Sequence, residues 1–449
     1  MASTKPILLV GCTPVIGHLS PILNIVRNLV GRGYEVHFVM ATDFRKEVED
    51  TGAIFHPFAG FCNFTLDGVS IEKRFPERKE IPAGPVRMAF DIGLLMMNPL
   101  PSQFWSLQLA LDQITKKNPG RDIIGLTEGA FYGSVPSMLE AAGIRPKAWV
   151  GIGVIPMLLS SCDHPPFGPG LPPDSSPEGR ERNKAMTKEV QWGILGEQNK
   201  KFHEILSMLK AKEITDPITD SIYKHSDRFL QMCIPSVEYP RSDAPSTIRF
   251  AGGIPKSPFG SAPNFSWWDK VTQNPSGRRI IFASQGTAAI NYNDLLVPAI
   301  KAFKNRDDVM LIVALGIRGA VLPNTENAIP GTNTFVEEFI PYDQILPYCD
   351  VFVTNGGYGG FQHAIKNGVP LVMGGTTEDK PEVNARAEWA GVSINLKTDN
   401  PSVEQIEKAV DEILQNSKYK QRMGELKTEF ESYDGIGIIE ETILELAAK

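Results

Sequence analysis

The chain has 449 residues, which is too long for a single hydrophobic core and predicts two or three domains. Hydrophobic residues make up 42% of the sequence and charged residues 22%, a composition that is typical of globular enzymes and excludes disorder, a coiled coil and collagen. The formal net charge of −7, without any local basic stripe, argues against nucleic-acid binding.

The N-terminus and the cysteines indicate a cytoplasmic location. Residues 1–6 lack the basic, apolar and cleavage regions of a secretory signal and lead directly into an apolar run. No apolar run approaches the roughly 18 residues that a membrane span requires. The five cysteines are scattered without a CxxC pair, which predicts free thiols rather than a disulfide framework or a zinc site.

The first half of the chain alternates apolar strands with helical segments. Apolar runs predict strands at residues 7–10, 36–40, 123–126 and 148–155. After the first strand, apolar residues recur at helical spacing from Leu19 to Val30, and Gly31 ends the helix. Fully apolar strands joined by helices predict a parallel sheet with helices on both faces.

Two proline-rich segments interrupt this pattern. Residues 163–180 are too long for an ordinary connection, and loops of that length are usually functional or disordered; a lid over a binding site is one interpretation of this segment. Residues 235–276 predict the connection between two domains.

The alternation restarts in the second half. Strands are predicted at residues 279–283, 309–314, 334–339, 351–354, 370–373 and 393–396. We therefore expect an α/β protein with two Rossmann-like domains that face each other across a cleft, at residues 1–240 and 241–425. A C-terminal helix within residues 426–449 is expected to return to the first domain.

A histidine lies where the first strand meets the first helix. The helix dipole predicts that His18 is neutral near pH 7 and can accept a proton, with a capping or packing histidine as the alternative. Glu128 follows the strand at residues 123–126, and it is expected to be the carboxylate partner of His18, with a solvated or capping acid as the alternative. Asp43 would suit a ribose, but the first loop lacks G-x-G-x-x-G, which disfavours a dehydrogenase.

A glycine-rich loop in the second half predicts an anion site. Four glycines lie between the strand at residues 351–354 and a helix at residues 361–367, where backbone N–H groups favour an anion such as diphosphate. A tight turn is the alternative. A second loop, with hydroxyl side chains and a glycine, follows the strand at residues 279–283. The two loops contribute the candidate residues Ser284, Gly286, Thr287, Asn355, Gly357, Gly359 and Gly360.

Five short motifs together carry a family resemblance. The motif GHLSP begins at Gly17, and FIPYDQIL, TNGG, NGVP and EDKPEVNA lie within residues 339–385. These motifs resemble family 1 UDP-glycosyltransferases of the GT-B fold, which use a nucleotide sugar, most often UDP-glucose. The resemblance is greatest to fungal and bacterial members that glucosylate phenolics or hydroxy fatty acids.

The resemblance implies an inverting transfer with His18 as the catalytic base. Gly17 precedes the base in the motif, and Glu128 takes the position of the usual aspartate partner. His18 would accept the proton of the acceptor hydroxyl while the oxygen attacks the anomeric carbon. Because no Asp-x-Asp triplet occurs in the sequence, we expect neither a metal nor a resident cofactor, only a UDP-sugar as co-substrate.

On the donor side, the resemblance assigns the nucleotide and the sugar to separate residues. It implies that uracil stacks on Phe339 and pairs with the backbone of Ile340. Three positions depart from the family: Asn355 replaces a phosphate-binding histidine, Gly360 replaces a serine or threonine, and His363 replaces the ribose-binding glutamate. The residues implied in diphosphate and sugar binding are Thr287, Gly359, Gly360, Asp379 and Lys380.

The sequence specifies the acceptor less closely. Methionine and aromatic residues within 88–105 suggest an apolar pocket, with core packing as the alternative. We expect a small hydrophobic hydroxylated acceptor, a phenolic first and a hydroxy fatty acid next, and a monomer or weak homo-oligomer. Two other functions stay open: a catalytically silent partner protein with the same fold, and a nucleotide-sugar epimerase.

Overall fold

The computed structural model describes residues 5–65, 73–82, 84–254, 265–286, 289, 291–325 and 328–449. Within these ranges the chain forms two parallel β-sheets, each in its own Rossmann-like domain. The predicted α/β class is therefore confirmed.

The described part of the first domain contains a sheet of seven strands. They are β1 Ile7–Gly11, β2 Val36–Met40, β3 Ile54–Pro57, β4 Ile123–Glu128, β5 Ala148–Gly153, β6 Arg228–Gln231 and β7 Ile248–Phe250. Their spatial order is β3-β2-β1-β4-β5-β6-β7. The helices of this domain are Ile16–Gly31, Arg45–Glu49, Pro85–Ile92, Leu100–Lys117, Val135–Met138, Pro177–Lys188, Gly196–Met208 and Ile218–His225.

The second sheet contains six strands among the described residues. They are β8 Arg279–Ser284, β9 Val309–Ala314, β10 Thr334–Glu337, β11 Val351–Thr354, β12 Leu371–Met373 and β13 Ser393–Asn395, in the order β10-β9-β8-β11-β12-β13. The helices that follow the first domain are Trp268–Thr272, Leu296–Phe303, Tyr342–Ile345, Tyr358–Asn367, Lys380–Trp389, Val403–Gln415, Ser417–Glu431 and Gly435–Ala447.

Both faces of the second sheet are buried. On β8, Ile280 and Phe282 belong to one hydrophobic core, whereas Ile281 and Ala283 belong to the core on the opposite face. Since successive strand residues point to opposite faces, a strand covered on both sides must be apolar throughout. This is why continuous apolar runs mark the central strands in the sequence.

Three strands of the first sheet did not appear in the sequence prediction. β3 and β7 are edge strands, and β3, β6 and β7 are short and carry polar residues or proline, so no apolar run marks them. β7 lies in the segment interpreted as a connection, and it pairs with β6. The first domain therefore extends through Phe250, beyond the boundary that we expected after residue 240.

The C-terminal helices divide between the two domains. Ser417–Glu431 packs into the core of the second domain through Met423 and Leu426. Gly435–Ala447 packs into the core of the first domain, and Nζ of Lys5 donates to Glu440 at 2.8 Å. The chain thus changes domain after residue 431, whereas the predicted boundary after residue 425 falls inside a helix.

A deep cleft separates the two sheets. Residues that follow β1, β8 and β11 line one cavity of about 2350 Å³, because the carboxyl ends of the strands in both domains open into it. No helix in the described ranges is both long enough and apolar enough to cross a membrane.

Candidate active site

The side chains of His18 and Glu128 meet at the carboxyl edge of the first sheet. His18 lies in the first turn of helix Ile16–Gly31, and Glu128 ends β4, which pairs directly with β1. Nδ1 of His18 lies 2.9 Å from Oε1 of Glu128. This contact leaves Nε2 as the ring nitrogen available to a substrate in the cleft, which His18 lines.

The protein interior holds Glu128 in one orientation. The residue is 1% exposed, and the backbone N–H of Ala130 donates to the same Oε1 at 2.9 Å. Its Oε2 is buried and has no hydrogen-bond partner among the described residues. The burial argues against a solvated acid. A fixed carboxylate on Nδ1 can orient the imidazole ring and stabilise its protonated form.

The electrostatics of His18 differ from the expectation based on the helix dipole. Burial lowers the pKa of His18, but the charge and hydrogen bond of Glu128 and the charge of Asp379 outweigh it, so the pKa is raised above 6.5. The pKa shift is opposite to the effect expected from the helix dipole, because a carboxylate in direct contact acts more strongly than a helix terminus. The raised pKa makes His18 a stronger base.

An acid of the second domain lies across the cleft from His18. Asp379 occupies the N-cap position of helix Lys380–Trp389 and lines the same cavity. Burial raises the pKa of Asp379, and the charge of His18 opposes this rise. Charged groups from both domains therefore influence each other's pKa at the site.

Lys380 is buried beside Asp379. Its Nζ donates to Oγ1 of Thr377 at 3.2 Å and to the carboxylate of Glu378. Burial lowers the pKa of Lys380 to about 8, against the opposing charge of Asp399. Lys380 is thus still mainly protonated at pH 7, and it supplies a positive charge at the cleft.

The glycine-rich loop has a conformation that requires glycine. Gly356 has φ +92°, and a Cβ atom there would lie 1.8 Å from Oδ1 of Asn384. Gly357 is the N-cap of the ten-residue helix Tyr358–Asn367. A Cβ atom at Gly357 or Gly359 would meet nothing within 4 Å among the described residues, so both positions face open space.

This loop and the helix start form an anion-binding geometry. Gly357, Gly359, Gly360 and Asn355 line the cavity, and the first-turn amides lie at the positive end of the helix. The geometry favours an anion over the alternative of a simple tight turn, since the loop opens into the cleft.

The second predicted loop is only partly available to a ligand. Oγ of Ser284 is buried and accepts from the hydroxyl of Tyr342 at 3.0 Å and from the N–H of Gly286 at 3.3 Å. Gly286 has φ +74°, which favours glycine in this turn. Thr287 lies outside the described residues.

Phe339 provides an exposed aromatic surface at the predicted nucleotide end of the cleft. Phe339 is 45% exposed and lines the cavity, which suits stacking on a planar base. Ile340 also lines the cavity, but its side chain is buried in the core of the second domain, so only its backbone can serve a ligand.

His363 contacts an acid that the sequence analysis missed. Its Nδ1 lies 2.7 Å from Oδ1 of Asp343, and Nζ of Lys366 donates to the other oxygen at 2.7 Å. Burial raises the pKa of Asp343, but the hydrogen bonds and charges of His363 and Lys366 outweigh burial and hold this pKa well below 3.8. Asp343 lies within the motif FIPYDQIL, and its position three residues after Ile340 was the available signal.

The part of the cleft formed by the first domain is mainly apolar. Within residues 88–105, Met88, Ile92, Leu95 and Met96 line the cavity, whereas Met97, Leu100 and Phe104 are core residues. Wide π-helical turns at Gly93–Met97 and Glu189–Ile194 contribute to the lining. Residues 166–172 of the proline-rich loop also line the cavity.

Comparisons with solved structures identify the fold. The glycotransferase of kitacinnamycin superposes with a TM-score of 0.72 at 18% identity, over 98% of this chain and 99% of its own. The glycosyltransferase VinC in complex with DTDP has a TM-score of 0.67 at 15% identity, over 98% of this chain and 99% of its own. These structures show the fold, which is that of GT-B glycosyltransferases.

Sequence comparisons define the family. A family model described as erythromycin biosynthesis protein CIII-like, C-terminal domain, matches residues 308–434. UDP-glucosyltransferase A1 of Starmerella bombicola is 38% identical, over 100% of this chain and 94% of its own. UDP-glucosyltransferase 1 of Beauveria bassiana (strain ARSEF 2860) is 39% identical, over 97% of this chain and 94% of its own. The chain therefore belongs to the family 1 UDP-glycosyltransferases.

Proposed function

We propose that the enzyme transfers glucose from UDP-glucose to a hydroxyl group of a small hydrophobic acceptor, with inversion at the anomeric carbon. The observation that carries this proposal is the His18–Glu128 pair, which faces the start of helix Tyr358–Asn367 across one cleft. The names of the relatives from Starmerella bombicola and Beauveria bassiana support glucose as the transferred sugar.

The reaction is a direct displacement. Nε2 of His18 accepts the proton of the acceptor hydroxyl while the oxygen attacks the anomeric carbon and the bond to UDP breaks on the opposite face. Glu128 stabilises the imidazolium that forms. The amides of Gly359 and Gly360 stabilise the charge that grows on the departing diphosphate, a preorganised contribution usually worth several kcal/mol.

Separate residues bind the parts of the donor. Uracil stacks on Phe339, and the Asp343–His363 pair binds the ribose hydroxyls in place of the family's glutamate. The sugar hydroxyls contact Asp379, and Lys380 adds positive charge near the diphosphate. With the helix amides and Lys380 as electrostatic partners, the reaction proceeds without a metal or a resident cofactor.

The acceptor lies against the apolar lining of the first domain. Met88, Leu95 and Met96 provide a surface that can adapt to a flat or a flexible apolar molecule. A phenolic acceptor is the first candidate, and a hydroxy fatty acid is the second.

A screen of donors against acceptors, read by mass spectrometry, tests the proposal. The expected result is an acceptor that gains the mass of one hexose with UDP-glucose, and a β-linked product from the α-linked donor. An altered donor sugar with an unchanged acceptor mass would instead identify an epimerase. No change in any donor or acceptor would favour a catalytically silent protein.

A further inference from the structure

The two ends of the proline-rich loop are joined to each other and fixed to the first domain. The N–H of Asp174 donates to the carbonyl oxygen of Asp163 at 2.9 Å, which joins the two ends of the 163–174 loop. Nδ2 of Asn183 donates to the carbonyl oxygens of Cys162 at 2.9 Å and Asp174 at 3.1 Å. The base of the loop is therefore fixed to helix Pro177–Lys188.

The tip of the same loop is bound to the second domain. The N–H groups of Gly168 and Gly170 both donate to Oε1 of Glu382, at 2.8 Å and 2.9 Å. Gly170 has φ +62°, and a Cβ atom there would lie 2.5 Å from the carbonyl oxygen of Pro381. The tip thus fits closely against the start of helix Lys380–Trp389, where only glycine is accommodated.

The other oxygen of Glu382 is held by a buried ion-pair chain. Nη1 of Arg386 donates to Oε2 of Glu382 at 2.7 Å, and Nε of Arg386 donates to Glu238 at 2.8 Å. Arg386 is 1% exposed and Glu382 is 3% exposed. Because a buried charge without its partner is strongly destabilising, these ion pairs fix the orientation in which Glu382 presents Oε1 to the loop.

The proline-rich loop and the start of helix Lys380–Trp389 line the same cavity, the loop in its acceptor half and the helix start in its donor half. Phe167 and Leu171 flank the bound tip and line the acceptor half, and Gly168 lies next to Met88. Asp379, one helical turn before Glu382, lines the donor half. Glu382 therefore connects the wall against which an acceptor packs to the helix whose start contacts the donor.

We propose that Glu382 is a positioning residue for the acceptor, which it places by holding the tip of the 163–174 loop through the amides of Gly168 and Gly170. The inference rests on the transferase function proposed above. It predicts that loss of this contact weakens acceptor binding and leaves donor binding unchanged, because residues 166–172 of the released loop line the acceptor half of the cavity.

Hydrogen exchange and steady-state kinetics on the full chain test this proposal. In Glu382→Ala, the amides of Gly168 and Gly170 should exchange roughly 10- to 100-fold faster, the factor that corresponds to loss of a hydrogen bond to a charged acceptor. With UDP-glucose and the phenolic probe 4-methylumbelliferone, KM for the probe should rise about tenfold or more, while KM for UDP-glucose stays within about twofold.

A conservative variant separates positioning from simple structural support. In Glu382→Gln, the amide oxygen still accepts both N–H groups, whereas Arg386 loses one of its two carboxylate partners and keeps Glu238. Protection of the two amides and KM for the probe should therefore return toward the wild-type values. Equal damage in the Gln and Ala variants would overturn the proposal, since only the pair with Arg386 would then matter.

Gly170→Ala disturbs the contact from the loop side and leaves the ion-pair chain intact. Gly277→Ala is the matched control, because Gly277 has the same φ of +62° but nothing within 4 Å of its Cβ position among the described residues. The first variant should reproduce the exchange and KM changes and the second should not. Unchanged exchange in Gly170→Ala and Glu382→Ala would refute the inference, whereas absence of any glucoside with the wild type across the screen of donors and acceptors would refute the proposed transferase function alone.

Discussion

Replacement of Glu128 by glutamine isolates the charge of the carboxylate. In the variant, the amide oxygen can still accept from Nδ1 of His18 and from the N–H of Ala130, since both contacts are made to one oxygen. The amide nitrogen takes the place of Oε2, which contacts no hydrogen-bonding group among the described residues. The geometry of the pair is therefore retained while the negative charge is lost.

The distance between the two groups sets the size of the expected effect. Two unit charges 2.9 Å apart interact by about 6 kcal/mol at an effective dielectric constant of about 20. Desolvation of the pair offsets much of this, and a hydrogen bond to a charged group contributes about 1.5–3 kcal/mol net. If that stabilisation is made mainly when His18 becomes protonated, kcat should fall roughly 10- to 100-fold.

The pH profile provides a second, independent readout. Activity requires neutral His18, so the acid limb of kcat follows the pKa of this residue, which Glu128 helps to hold above 6.5. Without the charge, the lowering effect of burial prevails, and the acid limb should move to lower pH. The loss of kcat should therefore be smaller at pH 6 than at pH 8.

The assay measures kcat at saturating UDP-glucose from about pH 5 to about pH 9. Glu49→Gln, an exposed acid on a helix of the same domain, is the control and should behave as the wild type. An unchanged acid limb together with an unchanged kcat would refute the role of Glu128. A change in acceptor KM alone would also refute it, because a partner of the base acts on the transition state.

Three further perturbations test other parts of the molecule. His18→Ala should abolish transfer and leave UDP binding by calorimetry nearly unchanged; comparable turnover would contradict its assignment as the base. Gly356→Ala should lower the free energy of unfolding by about 1–3 kcal/mol or more in urea titrations and weaken UDP binding, because φ is +92° and Asn384 fills the Cβ position; equal stability would exclude this strain. Burial lowers the pKa values of His37 and His56, the latter to about 4, so the unfolded chain binds more protons below pH 6.5. Urea titrations should therefore show stability falling from pH 6.5 toward pH 4, with a smaller loss in His56→Gln; an identical loss would assign the effect to other groups.

The central strands could be predicted from the sequence because burial on both faces leaves a continuous apolar run. The predictions at residues 36–40, 309–314 and 351–354 coincide with β2, β9 and β11. The edge strand β7 could not be recognised, since pairing on one side places no such demand on its composition.

The candidate site also contains some contacts that could be predicted from the sequence and others that could not. His18 and Glu128 could be paired from the sequence because adjacent parallel strands deliver their carboxyl ends to one edge. The contacts of Asp343 with His363 and of Glu382 with Gly168 depend on packing between elements that are distant in sequence. No periodicity or spacing encodes such contacts, so they required the structure.

Because the net charge is −7, the protein as a whole does not attract a diphosphate, and its binding depends on the local electrostatic field of the cleft. Two acids of the cleft lie near basic groups: Nζ of Lys366 donates to Asp343 at 2.7 Å, and the charge of His18 acts on Asp379. Because these opposite charges offset each other, the start of helix Tyr358–Asn367, equivalent to roughly half a positive charge, is not masked by the neighbouring acids. A cleft balanced in this way can accept a polyanion inside an acidic protein, since attraction arises at the amides where the leaving group develops its charge rather than over the whole surface.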